Sequence, residues 1–224
     1  MCKLKSAIIL KDRVFVPDYD SHSKMLEELG IKDTWENAER LFVRAELSPR
    51  DGDVFSPVDE WGFTVDQDIR PDWFVEEYEK QRMVDAVKAW AKDHIHIGVD
   101  GLSIGTGSNY YIKDCKDVTI CGNATVENIC GSATVKYICN NATVECICDN
   151  AMVEYIGDNA MVECIYGSAT VKYICDNAMV IGSPLGWENK DKVILSQNAT
   201  LKDCESKIIY QAGDWELRLI NKSN

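Results

Sequence analysis

A period of nine residues dominates the second half of the chain. Six consecutive copies read NATVENICG (123–131), SATVKYICN (132–140), NATVECICD (141–149), NAMVEYIGD (150–158), NAMVECIYG (159–167) and SATVKYICD (168–176). A partial copy, NAMVI, opens at Asn177, and weaker cycles fit at 114–122, 189–197 and 198–206. A three-residue insertion breaks the register near Gly182-Ser183-Pro184. Each copy runs Asn or Ser, Ala, Thr or Met, Val, Glu or Lys, a variable residue, Ile, Cys (Gly157 and Tyr166 in two copies), then Gly, Asn or Asp. Such a unit is a short β-prone run between turn formers. Alone it is too small to bury its apolar side, and it folds only by stacking on its neighbours, which predicts a β-solenoid.

A second regularity sets the size of one coil. The sixth positions are Asn128, Tyr137, Cys146, Tyr155, Cys164 and Tyr173, so tyrosine recurs every 18 residues. Stacking places like on like. One coil therefore holds two nine-residue halves in a flattened, two-sided parallel β-helix or β-roll, and a 27-residue triangular coil would scramble the alternation. Ala at position two and Val at position four alternate inward as on a strand, with Thr/Met and Glu/Lys outward. Ile at position seven breaks that alternation, which places a corner between Glu/Lys and Ile. The expected core is then Ala, Val, Ile and the position-eight cysteines Cys121, Cys130, Cys139, Cys148 and Cys175, acting as small hydrophobes. Asn and Ser at position one are expected to form side-chain ladders between coils.

The outward charges divide by face. Glu127, Glu145 and Glu163 stack on one face, roughly 4.8 Å apart per rung, while Lys136, Glu154 and Lys172 alternate in sign on the other. Like charges on adjacent strands are destabilising, by roughly a few tenths of a kcal/mol each. A bare glutamate column therefore points to a cationic partner, with solvated carboxylates that keep the surface soluble as the competing reading. Other solenoid activities find no support. Hexapeptide acyltransferases need a period of six, calcium-binding nonapeptides need Gly-Gly-x-Gly-x-Asp, and ice binding needs paired Thr on an uncharged face.

Residues 1–100 are non-repetitive and hold 22 acidic against 14 basic residues, and the remaining 124 hold 15 against 10. The net charge of −13 repels bare phosphate over a broad surface. It leaves basic proteins, metal ions, or proteins whose ordinary ligand is nucleic acid as partners. Ser6 to Val16 reads as a hairpin turning at Lys11-Asp12-Arg13, and His22 to Leu29 as a helix stopped by Gly30. Leu41 to Leu47 and Trp61 to Val65 read as strands around the loop Ser48 to Asp53. A long helix follows, with Pro71 in its first turn and a Met83, Val84, Val87, Trp90, Ala91 stripe, ending near Ile95. The expected organisation is an α+β domain over 1–100 capping the coil stack, a solenoid over 101–216 and a tail at 217–224.

Catalytic constellations are missing from the sequence: no P-loop, Gly-x-Ser-x-Gly, dinucleotide glycine pattern or Cys/His set outside the repeat. His94 and His96, two apart on a helix, diverge by about 200°, and a cationic His at a helix C-terminus is the simpler role. His22 stands alone. Asp51-Gly52-Asp53 and Asp66-Gln67-Asp68 are carboxylate pairs that suit a cation or acid–base work, and equally suit turns. Cys146 and Cys148 point the same way on a strand without a spaced partner pair for a metal. The expectation is a non-enzymatic protein with no catalytic residue, metal or cofactor. Most of the ten cysteines belong to the repeat and read as reduced, cytosolic thiols. Ala7-Ile8-Ile9-Leu10 is too short for a signal-peptide core, and no apolar run reaches the roughly 18–20 residues of a membrane span.

The opening CKLKSAIILKDRVFVPDYDSH, the segments RAELSPRDGDVF and VDQDIRPDW, the helix end AVKAWAKDHIHIG and the NATVEYI-type array carry a resemblance. Over essentially its full length the chain resembles a family of uncharacterised proteins encoded by phages and gut bacteria. These combine an N-terminal α+β domain with a nonapeptide, pentapeptide-repeat-like solenoid. The resemblance implies the cytoplasm of a phage-infected or bacterial host cell and a role against host defence or nucleic-acid enzymes. The acidic solenoid is also similar in kind to pentapeptide-repeat proteins that imitate DNA and engage topoisomerase, by analogy only, since the five-residue motif is missing. The expected function is inhibition of a defence nuclease, as anti-CRISPR proteins perform, or of another nucleic-acid-handling enzyme. The partner would be a host or defence protein with a basic nucleic-acid-binding cleft, with no direct nucleic acid and no membrane. Glu127, Glu145 and Glu163 would stand in for phosphates, with Asp66 and Asp68 as further contacts. Two alternatives stay open: a homo-oligomeric scaffold joined through strand edges or Tyr137, Tyr155 and Tyr173, and a small-ligand pocket in the first domain.

Overall fold

The computed structural model describes residues 5–189 and 192–212. The chain divides into two compact units, Met1–His96 and Ile97–Asn224. The tail expected at 217–224 lies outside the described residues.

The first unit is built on an antiparallel sheet in the order β2-β1-β3-β4, with β1 at Lys5–Leu10, β2 at Val14–Phe15, β3 at Phe42–Ser48 and β4 at Gly62–Val65. The Leu10 N–H bonds the Arg13 carbonyl at 2.8 Å, closing the expected hairpin. Neighbours along β1 face opposite ways. Ile8 joins Phe42, Met25, Leu26 and Ala38 in one apolar cluster, beside α1 (His22–Glu28) and α2 (Trp35–Ala38). Ala7 and Ile9 are as fully buried on the other face, where α3 (Glu76–His94) packs on β1 and β2. The Ser21 hydroxyl accepts the Lys24 N–H to cap α1, and Gly30, at φ +67°, ends it. The short helix α2, capped by Thr34, was not expected.

The start of α3 corrects the expectation that Pro71 lies in its first turn. Residues 71–74 close a separate turn, Phe74 N–H to Pro71 carbonyl at 2.9 Å, and Val75 is extended at φ −118°, ψ 107°. The helix begins at Glu76, where Glu76, Glu77 and Glu79 meet the positive end of the helix dipole. Met83, Val84, Val87 and Trp90 are buried as expected. His94 is buried as well, stacked on Trp90 at 4.5 Å, with Nδ1 2.8 Å from the Trp90 carbonyl and Nε2 3.0 Å from Asp18.

The second unit is the solenoid, and its coil is 18 residues. Successive strands alternate between two parallel sheets. One runs through Ser103–Ile104, Val118–Ile120, Thr134–Ile138, Met152–Ile156, Thr170–Ile174 and Ile194–Leu195. The other runs from Ile95–Ile97 through Tyr110–Lys113, Thr125–Cys130, Thr143–Val144, Met161–Gly167 and Met179–Trp187 to Thr200–Asp203, and the antiparallel strand Ile208–Gln211 ends it. Register is kept over 18 residues: Val135 pairs with Val153 and Val153 with Val171, Val126 with Val144 and Val144 with Val162. The Ala, Val and Ile positions form one continuous buried core. Trp187 adds to it from the insertion, bonding the Ala169 carbonyl at 2.7 Å.

The tight turns fall at positions nine and one, and the break in alternation expected between Glu/Lys and Ile is present as well. The chain bends at Glu145, where the strand Thr143–Val144 ends. Thr134–Ile138 stays one strand but passes through two consecutive exposed residues, Lys136 and Tyr137, before Ile138 turns inward. The expectation that the position-eight cysteines are buried holds in part: Cys130, Cys148 and Cys175 are buried beside the continuous Ala-Val-Ile cluster, whereas Cys121 and Cys139 are half-exposed.

The Asn ladder forms. Asn141 bonds Asn123, Asn159 bonds Asn141, Asn177 bonds Asn159 and Asn198 bonds Asn177, at 3.1–3.3 Å. The last step spans 21 residues, so the insertion is absorbed without breaking the ladder. Position nine carries a second set of bonds. Asn140, Asp149, Asp158 and Asp176 sit at φ 54° to 58°, and their side-chain oxygens accept the N–H of Gly122, Gly131, Asn140 and Asp158 on the preceding coil at 2.8–3.2 Å. Only Gly, Asn and Asp enter that left-handed conformation readily, which explains the restricted alphabet there.

Candidate functional site

On the solenoid, the valine register places Glu127, Glu145 and Glu163 on successive rungs of the same sheet. Their outward neighbours are Thr125, Thr143 and Met161, also in register. Glu163 is exposed, whereas Glu127 and Glu145 are half-buried. The Oε2 of Glu145 is buried with no hydrogen-bond partner. A carboxylate oxygen cut off from both water and a donor carries its full desolvation penalty, of order 1–3 kcal/mol or more. The column thus has one anionic oxygen that lacks a donor, flanked by two further carboxylates.

The opposite sheet differs. Lys136 pairs with Asp117 at 3.1 Å, and Lys172 lies 5.8 Å over the Tyr173 ring. Tyr137, Tyr155 and Tyr173 stack in register, Tyr137 edge-on to Tyr155 at 5.9 Å. Tyr155 donates to Asp176 at 3.1 Å, and a shallow hollow is lined by Tyr155, Tyr173, Cys175, Ser196 and Gln197.

The described cysteines are free thiols. Hydrogen bonding with the Cys148 thiol, reinforced by burial, pushes Cys130 and Cys146 well above the ordinary thiol range, and bonding with Cys148 raises Tyr166. Burial raises Cys139 and Cys175. Thiols held protonated are poor nucleophiles.

In the first unit the Asp66-Gln67-Asp68 segment splits among different neighbours. Asp66, just past β4, bonds the Arg44 carbonyl through its N–H at 2.9 Å, and its Oδ2 lies 3.3 Å from His22 Nδ1. The Glu46 carboxylate completes the group: one ligand atom from each of His22, Glu46 and Asp66 lies within 4.8 Å of the others. Asp68 instead lines an open cleft of about 370 Å³ with Asp33, Thr34, Trp35, Arg44 and Gln67. There Arg44 pairs with Asp33, and Gln67 is clamped, accepting the Arg44 N–H at 2.9 Å and donating to the Phe42 and Ile69 carbonyls at 3.1 and 2.6 Å. Trp35 is 72% exposed at its rim. Asp51 and Asp53 serve a turn, Asp51 at φ 54° and Asp53 accepting the Phe55 N–H at 3.0 Å. No sequence spacing signalled that His22, Glu46 and Asp66 would meet, since they come from α1, β3 and the end of β4.

No protein-family model matches the chain, and neither a curated protein nor a solved structure matches it. Among the described residues no helix is long and apolar enough to cross a membrane.

Proposed function

We infer that the chain is a non-enzymatic binding protein whose glutamate-bearing solenoid sheet engages a cationic surface of another protein. The observation that carries this is the in-register column of Glu127, Glu145 and Glu163 on one sheet, with the Glu163 carboxylate exposed. A lysine or arginine from a partner would relieve that like-charge stack. The net charge of −13 favours basic partners at long range. The resemblance to phage and gut-bacterial proteins narrows the partner to a host or defence enzyme with a nucleic-acid-binding cleft, where the carboxylates take the place of phosphates. Asp66 and Asp68 lie on the other unit and are secondary contacts in this reading.

The test is an affinity capture of the tagged protein from bacterial host lysate at low and moderate salt. Recovery of a nucleic-acid enzyme that competitor DNA displaces is expected. Glu145→Lys with Glu163→Lys should abolish capture and inhibition while circular dichroism stays unchanged. Capture that survives this double reversal sinks the mimicry reading.

One observation favours a second reading, a self-assembling scaffold: Ile208, Ile209 and Tyr210 are 46%, 62% and 41% exposed on the strand that ends the larger sheet. Light scattering separates the two. A stable assembly of the isolated protein supports the scaffold, and a monomer removes it.

A further inference from the structure

We propose that His22, Glu46 and Asp66 form a binding site for a divalent transition-metal ion of the zinc type, with at least one coordination position left to water.

His22 Nε2 lies 3.3 Å from the Ala45 carbonyl. A carbonyl oxygen can only accept, so this nitrogen carries the hydrogen. In the neutral ring that leaves the Nδ1 lone pair facing outward, and what it faces is the Asp66 Oδ2 at 3.3 Å. The Glu46 carboxylate closes the third side. Lone pair and carboxylates repel one another unless something positive stands between them. Among the described residues neither Glu46 nor Asp66 has a lysine or arginine partner: Arg44 is committed to Asp33, Lys5 to Asp20 and Arg70 to Glu76.

The spacing suits an ion. Zinc bonds of about 2.0–2.2 Å to nitrogen and oxygen put two ligand atoms roughly 3.3–3.5 Å apart across a tetrahedral angle. The His22–Asp66 separation falls on this value, and Glu46 offers an oxygen within 4.8 Å of both. The Nε2–carbonyl contact is the outer-shell bond that metal-ligating histidines ordinarily make, and it fixes the tautomer that offers Nδ1. His22 is the first residue of α1 and Glu46 lies within β3, so two of the three ligands sit on regular elements. The His22 side chain is 11% exposed while Asp66 is 61% exposed, so the site has a buried wall and a solvent-facing opening. Three protein ligands with an open position form the arrangement of exchangeable rather than purely structural zinc sites. This inference concerns the first unit and does not depend on the solenoid's partner.

The competing arrangement is an imidazolium that fills the gap with its own proton, and nuclear magnetic resonance of the ring nitrogens separates the two. The chain has only three histidines, His22, His94 and His96, which keeps the spectrum assignable. Chelator-treated full-length protein would be titrated with zinc chloride. Binding should shift His22 Nδ1 and leave His94 unmoved. Asp66→Asn and Glu46→Gln, both at solvent-accessible side chains, should raise the zinc dissociation constant at least roughly tenfold. Cobalt(II) loaded in place of zinc should absorb in the visible without a thiolate charge-transfer band, which rules the cysteines in or out as the true ligands. A protonated Nδ1 unmoved by zinc, an Asp66→Asn variant that binds like the parent, or a thiolate band that follows the metal would each overturn the site.

Discussion

The two units solve burial in opposite ways. In the solenoid a residue's surroundings follow from its place in the period: Ile129, Ile147 and Ile165 bridge one another and are equally buried. In the first unit, adjacent Ile8 and Ile9 are alike in type and burial yet face opposite sides of the sheet, and each side is covered differently. The first unit also buries charge. Lys5 is 2% exposed, held by Asp20 at 2.9 Å and lying 4.6 Å over the Trp90 ring. The array gains its stability by repeating one solution, whereas the first unit depends on pairs that occur once.

The sharpest break of that comparison is Asp20→Ala. Burial already pushes the Lys5 pKa down, and Asp20 chiefly opposes it, with Asp18 adding to the effect. Without Asp20 the ammonium is stranded, and a loss of about 3–5 kcal/mol is expected in denaturant unfolding. Because the burdened species is the charged lysine, the deficit should shrink as pH rises and Lys5 sheds its proton. Adding Lys5→Met to Asp20→Ala should recover much of the loss. A cost under about 1 kcal/mol would mean that the pair is not what holds this strand.

In the solenoid the expected effects are uniform. Ile129→Ala, Ile147→Ala and Ile165→Ala should each cost about 2–5 kcal/mol and agree within roughly 1 kcal/mol. Ile8→Ala and Ile9→Ala have no such reason to agree. Urea unfolding of the five variants measures it, and scatter among the solenoid three as wide as between Ile8 and Ile9 would remove the distinction.

This difference also governs what was legible in the sequence. Translational repetition makes like residues stack, so the 18-residue coil, the Ala-Val-Ile core, the Asn ladder and the glutamate column could all be read from spacing. What spacing left open in the array was direction: after the break before Ile at position seven, Cys130, Cys148 and Cys175 are buried while Cys121 and Cys139 are half-exposed. Spacing also could not show that Glu145 is half-buried with an oxygen lacking a donor. In the first unit, strands and helices were readable from hydrophobic pattern and caps, but Pro71 misled because its own turn precedes the helix. The His22–Glu46–Asp66 group was invisible, since only tertiary structure brings those three elements together.

The bonds at position nine offer a smaller test of the repeat. Asp158 combines a left-handed backbone, φ 54°, with acceptance of the Asn140 N–H at 2.8 Å. Asp158→Ala loses both features and should cost about 2 kcal/mol. Asp158→Gly keeps the backbone freedom, loses only the bonds from the Asn140 backbone and side-chain N–H groups, and should cost about 1 kcal/mol. Equal costs in thermal unfolding would show that the backbone conformation contributes nothing.

The smallest effect is the acid response of the same column. Asp176 accepts the Asp158 N–H at 2.9 Å and the Tyr155 hydroxyl at 3.1 Å. The backbone bond chiefly, with help from the hydroxyl, holds its carboxyl below the ordinary value of 3.8. A carboxyl with a folded pKa below its unfolded one contributes stability that is fully present above the unfolded value and disappears as pH falls through the folded one. The wild type should therefore exceed Asp176→Asn in stability near pH 6, and the gap should close as pH falls below the ordinary carboxyl value. A gap that stays constant with pH would leave the Asp176 bond structural but uncharged in its effect.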